Sequence, residues 1–375
     1  MVLLIGNYPL DRQQSMDRFA RMMLDGLASA GVAAELIRPQ PFFGRFRYAG
    51  RTCAKWLAYL DKFALFPVQL RRRLKNAPAL VHICDHSNAM YAKQIRGLPV
   101  VTSCHDLLAV RGALGEQTDC PASLTGKLLQ RWIVKGLRAA TLIACVSRAT
   151  LEDARRLVLR GDAKPDLQLI SLGLSYPYRK LSADEARARL ARFSPLGTDT
   201  PFVVHVGSNL RRKNREGVLR IFARCEAQWN GLLVFAGEPL SDALRSLGRQ
   251  LGIIDRILEV PDATNEILEA LYNCATALLF PSRFEGFGWP IIEAHACGCP
   301  VICSDCPPLS EVAGEAGLIH PVADEEAFAA EIIRLTDPEE RARWSAKSLC
   351  NALRFSTEKM TAEFISVYQR SGAKI

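Results

Sequence analysis

Two glutamates separated by seven residues, Glu285 and Glu293, stand in the stretch Phe280-Pro281-Ser282-Arg283-Phe284-Glu285-Gly286-Phe287-Gly288-Trp289-Pro290-Ile291-Ile292-Glu293. A carboxylate accepts paired hydrogen bonds from vicinal hydroxyls, so the two suit sugars or riboses. Gly286 and Gly288, on either side of Phe287, permit a tight turn with exposed N–H groups near a helix start, a docking place for anions and hydroxyls. Pro290 suits the first helical position. This spacing puts Glu285 in a loop and Glu293 in the first helical turn. Taken alone, Glu-x7-Glu is also what two solvated glutamates around a structural turn look like.

A second group is basic. The run Val206-Gly207-Ser208-Asn209-Leu210-Arg211-Arg212-Lys213-Asn214 follows an apolar strand pattern. A diphosphate calls for about two positive charges, and an arginine fork with a lysine point charge supplies them. The plain alternative is a solvated basic helix start, which the helix dipole opposes. A third group is Val100-Val101-Thr102-Ser103-Cys104-His105-Asp106, a strand ending in His-Asp, with Val81-His82-Ile83-Cys84-Asp85-His86 as another strand end.

Such groups need elements to hold them. Apolar runs at 2–5, 33–37, 79–84, 99–103, 141–146 and 167–171 read as strands, and 15–30 and 122–138 carry apolar residues at helical spacing. Residues 174–200, with Pro177, an Arg/Ala-rich 183–192 and Pro195 to Pro201, read as a linker. Strands resume at 202–206, 231–236, 256–260, 276–280, 300–303 and 317–320, and 323–334, 337–353 and 356–371 read as helices. Strands alternating with helices mean α/β architecture with buried parallel sheets. Ligands of such sheets bind beyond the carboxyl ends of the strands, where all three groups fall.

The string Pro-Ser-x-x-Glu-Gly-Phe-Gly-x-Pro-x-x-Glu-Ala, followed by Cys297-Gly298-Cys299-Pro300-Val301, resembles the retaining nucleotide-sugar glycosyltransferases of family 4. The likeness runs over nearly the whole chain and is densest in 202–320. It implies the GT-B fold: two Rossmann-like, doubly wound domains facing a cleft, with C-terminal helices packing back toward the first. Residues 1–180 would bind the acceptor, 181–355 the nucleotide sugar, and 356–375 would return as a helix. The resemblance further implies that Glu293 grips the ribose, Glu285 orients the donor sugar, and the backbone of Gly286, Phe287 and Gly288 meets sugar and phosphate. Gly207 and Ser208 would open the phosphate loop, with Ser208 where some members carry another arginine. Arg212 and Lys213 would stabilise the leaving diphosphate, and His105 would hydrogen-bond a sugar hydroxyl. Where members usually carry a Gly-Gly pair, this chain has Gln13-Gln14-Ser15-Met16. Ser15 is then expected to cap a helix, and Ser15 and Met16 to border the acceptor. An aromatic usual after Phe355-Ser356 is Thr357 here. The implied reaction moves a sugar with retention from a nucleotide-diphosphate sugar to a saccharide or lipid-linked acceptor, in cell-surface polysaccharide or glycolipid synthesis. A non-catalytic binding subunit and a nucleotide-sugar epimerase of the same fold are the alternatives.

The chain lacks Gly-x-Gly-x-x-Gly, a Walker Gly-x4-Gly-Lys-[Ser/Thr] and Asp-x-Asp. No cofactor and no metal are therefore expected, and Cys297, Cys299, Cys303 and Cys306 read as compact buried thiols. The 375 residues suggest two domains. Without an export signal, twelve reduced cysteines fit a cytoplasmic protein. Residues 1–180 hold 27 basic and 13 acidic side chains, against 21 and 26 in 181–375. An anionic partner for the first half follows. Residues 42–75 mix Phe42, Phe43, Phe46, Trp56, Tyr59, Phe63 and Phe66 with Arg45, Arg47, Arg51, Lys55, Lys62, Arg71, Arg72, Arg73 and Lys75, a pattern suited equally to an anionic membrane surface at the inner face and to a core with a solvated edge. No nucleic-acid motif is present, so no nucleic-acid partner is expected.

Overall fold

The computed structural model describes residues 1–46, 50–159 and 165–375, and within these all side chains except those of 50–52. The chain builds two compact units, Met1–Ser175 with Thr357–Ile375, and Tyr176–Ser356.

The first unit holds a parallel sheet of β1 (Val2–Ile5), β2 (Ala34–Ile37), β3 (Leu80–Ile83), β4 (Val100–Cys104), β5 (Leu142–Cys145) and β6 (Asp166–Leu169), in the order β2-β1-β3-β4-β5-β6. Its inner strands are buried along their whole length and mostly apolar, because helices cover both faces. Those helices are α1 (Gln14–Ser29), α2 (Gly50–Leu60), α3 (Phe66–Leu74), α4 (Leu108–Ala113), α5 (Leu124–Leu137) and α6 (Arg148–Leu157). A π turn, Asp61–Leu65, joins α2 to α3. The core gathers Leu3, Ile5, Val81, Ile83 and Ile143 from the strands with Phe66, Leu70, Ile133 and Leu137 from the helices.

The second unit holds β7 (Phe202–Gly207), β8 (Leu232–Gly237), β9 (Ile257–Pro261), β10 (Ala277–Phe280), β11 (Val301–Ser304) and β12 (Gly317–His320), all parallel, in the order β12-β11-β10-β7-β8-β9. Around it lie α7 (Ala183–Leu190), α8 (Arg215–Arg224), α9 (Asp242–Gln250), α10 (Asn265–Cys274), α11 (Trp289–Ala296), α12 (Pro307–Ala313), α13 (Glu325–Arg334) and α14 (Pro338–Ala352). The first of these corrects the linker expected at 174–200. Ser182 caps it by accepting from the Glu185 N–H, the Ser-x-x-Glu start of a capping box. Alanine, arginine and glutamate are strong helix formers, and Ala186 and Leu190 are buried. Arg189 Nη1 then reaches Glu269 Oε2 at 2.7 Å.

After Ser356 the chain returns to the first unit as α15 (Thr357–Arg370), which buries Met360, Thr361, Phe364, Val367 and Tyr368. Gly26 on α1 faces Thr361 so closely that a Cβ there would lie 2.4 Å from its Oγ1. The Tyr368 hydroxyl meets His82 Nδ1 at 2.7 Å, and Ser103 Oγ meets His82 Nε2 at 2.8 Å. Burial lowers the His82 pKa to about 3, so the ring is a neutral core strut. Gly173 approaches the start of α15, where a Cβ would stand 2.6 Å from the Thr357 Cα, backbone that cannot swing away. Gly173→Ala is expected to cost about 1–3 kcal/mol and lower the thermal midpoint. An unchanged melting curve would contradict this seating of α15.

Strand order reverses in each sheet between the first strand and a later neighbour: between β1 and β3 in the first, between β7 and β10 in the second. Crevices at such reversals, beyond the carboxyl ends, are where open parallel sheets bind ligands.

Candidate active site

In the second unit, β7 ends at Gly207 and is followed by a 3-10 turn, Arg211–Lys213. Asn214 has φ 55°, a left-handed conformation asparagine tolerates, and turns the chain into α8. Its Nδ2 donates to the Pro281 carbonyl at 3.0 Å, and the Arg283 N–H donates to the Arg212 carbonyl at 2.7 Å. These bonds tie the loop after β7 to the loop after β10. They bring Arg212 Nη1 to Glu285 Oε2 at 2.7 Å and Lys213 Nζ to Glu285 Oε1 at 2.6 Å. Arg212 also donates to the Phe284 carbonyl at 3.2 Å, and Lys213 Nζ lies 5.1 Å from the Phe280 ring centre.

Burial alone would raise the Glu285 pKa, but Lys213 and Arg212 outweigh it and hold the carboxyl below its ordinary value. Burial lowers the Lys213 pKa, and Glu285 offsets part of that. The result is a triad of two cations on one carboxylate, with net positive charge, at the reversal of the sheet.

Gly288 has φ 109° and stands at the head of α11. A Cβ there would also meet Leu309 Cδ2 at 2.7 Å, so only glycine fits. The Phe287 side chain is buried edge-on to Phe355, rings 5.9 Å apart, leaving backbone as what this residue can offer a ligand. Pro290 is the second residue of α11, not the first, and Glu293 falls in its second turn. Glu293 is buried, and the Tyr272 hydroxyl donates to its Oε2 at 3.0 Å. Burial pushes the Tyr272 pKa well up, so the phenol keeps its proton.

Gly207 packs under Gly237, whose φ is 116° and whose Cβ would lie 2.6 Å from the Gly207 carbonyl. Ser208 is half-buried beside it. One residue the sequence reading passed over is Arg215. It is buried and donates to the Gly207 carbonyl at 2.5 Å, and to Asn209 Oδ1 and the Glu238 carbonyl at 2.7 Å each. Its burial lowers its pKa to about 10, so it stays charged at neutral pH and fixes the loop's shape.

In the first unit, His105 is buried beyond the end of β4, edge-on to Phe19 at 4.8 Å. Its Nε2 lies 2.9 Å from the Cys84 carbonyl, which can only accept, so Nε2 carries the proton. Burial lowers the His105 pKa, with Asp85 offsetting part of that. The ring is then neutral and Nδ1 is an acceptor, suited to a hydroxyl donor. A polar cluster adjoins it, in which Asn7 and Asn88, not singled out in the sequence, join Asp85 and His86 of the other strand end. Asn7 Nδ2 donates to Asp85 Oδ2 at 2.6 Å, Asn88 Nδ2 donates to Asn7 Oδ1 at 3.0 Å, and His86 Nδ1 lies 3.1 Å from Asp85 Oδ1. Asn7 also bonds the Gln13 side chain. Burial opposes ionisation of Asp85, but His86 overcomes it and its pKa is lowered.

Ser15 does not cap α1. Gln13 holds that position, its side chain making no capping bond to the helix, and Ser15 sits exposed inside the first turn with Met16 half-buried behind it. Chain direction explains the shift, because the Gln14 N–H is already turned back to the Arg12 carbonyl. Cys297, Cys299, Cys303 and Cys306 are buried free thiols. Among the described residues no three His, Cys, Asp or Glu side chains are grouped so that they could hold a metal ion.

Comparison with known proteins agrees with both halves. Residues 16–163 match the family described as Glycosyltransferase Family 4, and residues 187–348 match Glycosyl transferases group 1. The O-antigen chain mannosyltransferase B of Escherichia coli is 34% identical over 176 residues, 45% of this chain and 45% of that protein, so the match spans about half of that relative. The sucrose-phosphate synthase of Thermosynechococcus elongatus superposes with a TM-score of 0.80 at 21% identity, covering 100% of this chain and 99% of that one. Anabaena Alr3699/HepE, solved with UDP and glucose, gives 0.75 at 16% identity, covering 98% and 99%. The two superpositions establish the GT-B architecture.

Proposed function

Because the chain belongs to the family 4-type glycosyltransferases, we propose that it transfers a sugar, with retention, from a nucleotide-diphosphate sugar to a saccharide or lipid-linked acceptor in polysaccharide or glycolipid synthesis. The observation that carries this is the Arg212–Lys213–Glu285 triad at the strand reversal between β7 and β10. Two fixed cations there match a diphosphate, and a buried carboxylate beside them matches sugar hydroxyls. Glu293, already accepting from Tyr272, takes the ribose hydroxyls. The turn at Gly286 to Gly288 offers backbone N–H groups to sugar and phosphate, and Gly207 and Ser208 line the phosphates.

In this mechanism the acceptor hydroxyl attacks from the face the diphosphate leaves. The bond from the sugar carbon to the phosphate oxygen breaks as the new glycosidic bond forms, and the departing phosphate takes the acceptor's proton. Arg212 and Lys213 meet the charge that grows on the leaving oxygen, so neither a divalent metal nor a cofactor takes part. His105 accepts a sugar hydroxyl through Nδ1. Ser15 and Met16 border the acceptor.

A panel of nucleotide sugars in a thermal-shift assay tests the reading. The cognate donor at 100 times its dissociation constant is expected to stabilise the protein by about 2.7 kcal/mol. Adding acceptor should then release nucleoside diphosphate, with a chelator present or absent. A panel without any shift would overturn the proposal. A shift without transfer would identify a binding subunit, and an isomerised donor an epimerase.

A further inference from the structure

Residues 121–138 contain four basic side chains and no acidic one. On α5, Leu124 is 81% exposed, Leu128 63% and Trp132 37%, an apolar stripe at four-residue spacing. Lys127, Arg131 and Lys135 run beside it at the same spacing, all exposed. The inner side of α5 is pinned: Ile133 and Leu137 are buried, and Gly136 lies so near Ala89 that a Cβ would stand 2.2 Å from its carbonyl oxygen. The stripe therefore cannot roll inward.

It continues onto a second element. Trp132 packs on Phe63 at 5.1 Å, Phe63 on Tyr59 at 5.3 Å, and Tyr59 on Trp56 at 5.7 Å. Trp56 is 59% exposed, and Leu60 one turn later is also exposed. Lys55 stands over the Tyr59 ring. The one acid of residues 42–75, Asp61, is buried and fully used, accepting from the Tyr8 hydroxyl at 2.7 Å, the Phe43 N–H at 2.9 Å and the Gly44 N–H at 2.8 Å. Not every expected group serves such a face. Phe66 is core, Lys62 is paired with Asp11 and Arg73 with Glu35, while Arg47 and the Arg51 side chain lie outside the described residues.

We propose that α5 and the α2 end of the first unit form one docking face for an anionic lipid surface, with Leu124, Leu128, Trp132 and Trp56 entering the interface and Lys127, Arg131, Lys135 and Lys55 on the headgroups. Among the described residues no helix is long and apolar enough to cross a membrane, so the face lies on the bilayer rather than in it. Charge complementarity selects this occupant. A second copy would bring the same positive rim against itself, and a nucleic acid would leave the leucines in water. The inference is independent of the transfer reaction, because its test reads lipid binding alone.

Full-length protein is floated with vesicles of phosphatidylglycerol and phosphatidylcholine, and with phosphatidylcholine alone. Binding is expected only to the anionic vesicles and should weaken at high salt. L124Q/L128Q should lower affinity about tenfold, and K127E/R131E roughly thirtyfold or more, at about one salt-screened contact per cation. L353Q, an equally exposed leucine of the second unit, should change nothing. All three variants should melt as the parent does. Absent binding, binding indifferent to L124Q/L128Q, or a lipid-free dimer that L124Q/L128Q dissolves would each overturn the proposal, the last in favour of a second copy.

Discussion

Glu285→Gln is expected to reduce sugar transfer by about 10²–10³-fold while leaving the affinity for a nucleoside diphosphate undiminished. The two effects separate because Glu285 bonds both cations, Arg212 at 2.7 Å and Lys213 at 2.6 Å. A diphosphate must compete with that carboxylate, and glutamine competes less. Turnover falls because the charge that orients the sugar is gone. Loss of the carboxylate removes the charge partner that Arg212 and Lys213 share, at about 1–3 kcal/mol, so rates must be read well below the variant's melting point. The pH dependence has a definite sign. The Glu285 pKa is lowered on folding, so its contribution to stability is present above the ordinary carboxylate range and is lost as pH falls through the lowered value. Lys213 is lowered by burial, and removing Glu285 removes what held its proton. Donor binding in the variant should therefore fade at lower pH on the alkaline side than in the parent. Near-parental transfer, or a diphosphate that no longer binds, would remove Glu285 from its assigned role.

Deleting residues 357–375 is expected to unfold the first unit and spare the second. Helix α15 buries Met360, Phe364, Val367 and Tyr368 against that unit, and each large side chain is worth about 1.5–3 kcal/mol. The sum approaches the whole stability of an ordinary domain, about 5–15 kcal/mol. The deletion also strips His82 of its Tyr368 partner inside the sheet. Limited proteolysis with mass mapping should find cuts throughout 1–175 and resistance across 176–356. Persistent resistance in 1–175 would show that the helix is an accessory. Tyr368→Phe, which removes only the hydroxyl, should lower the midpoint by an amount matching about 1–3 kcal/mol.

Much of the fold is legible in the amino-acid order alone. The inner strands are short apolar runs because they are covered on both faces, and that signal survives without context. Residues 183–190 read as a connector because an Arg/Ala-rich segment between prolines resembles one, although Ser182-x-x-Glu185 announces the helix that forms there. Glu285, Arg212 and Lys213 were visible as types. Their pairing was not, since it depends on Asn214 and Arg283 lacing two loops together. The Asn7–Asp85 bond joins residues far apart in the chain, and the tautomer of His105 depends on a carbonyl contributed by Cys84. Neither leaves a local trace. The helical spacing of 122–138 announces α5, but its exposed leucines look like core positions until the helix is oriented.

The position of α15 in the chain has a consequence for biosynthesis. About 180 residues of the second unit are translated between Ser175 and the segment that closes the first unit's core. At about 5–20 residues per second the ribosome needs on the order of ten to forty seconds for them. During that interval the first half is out of the exit tunnel with Phe19 and His82 uncovered, and the later half is free to finish first. The apolar surface of the first unit that α15 covers therefore stays open until that helix emerges.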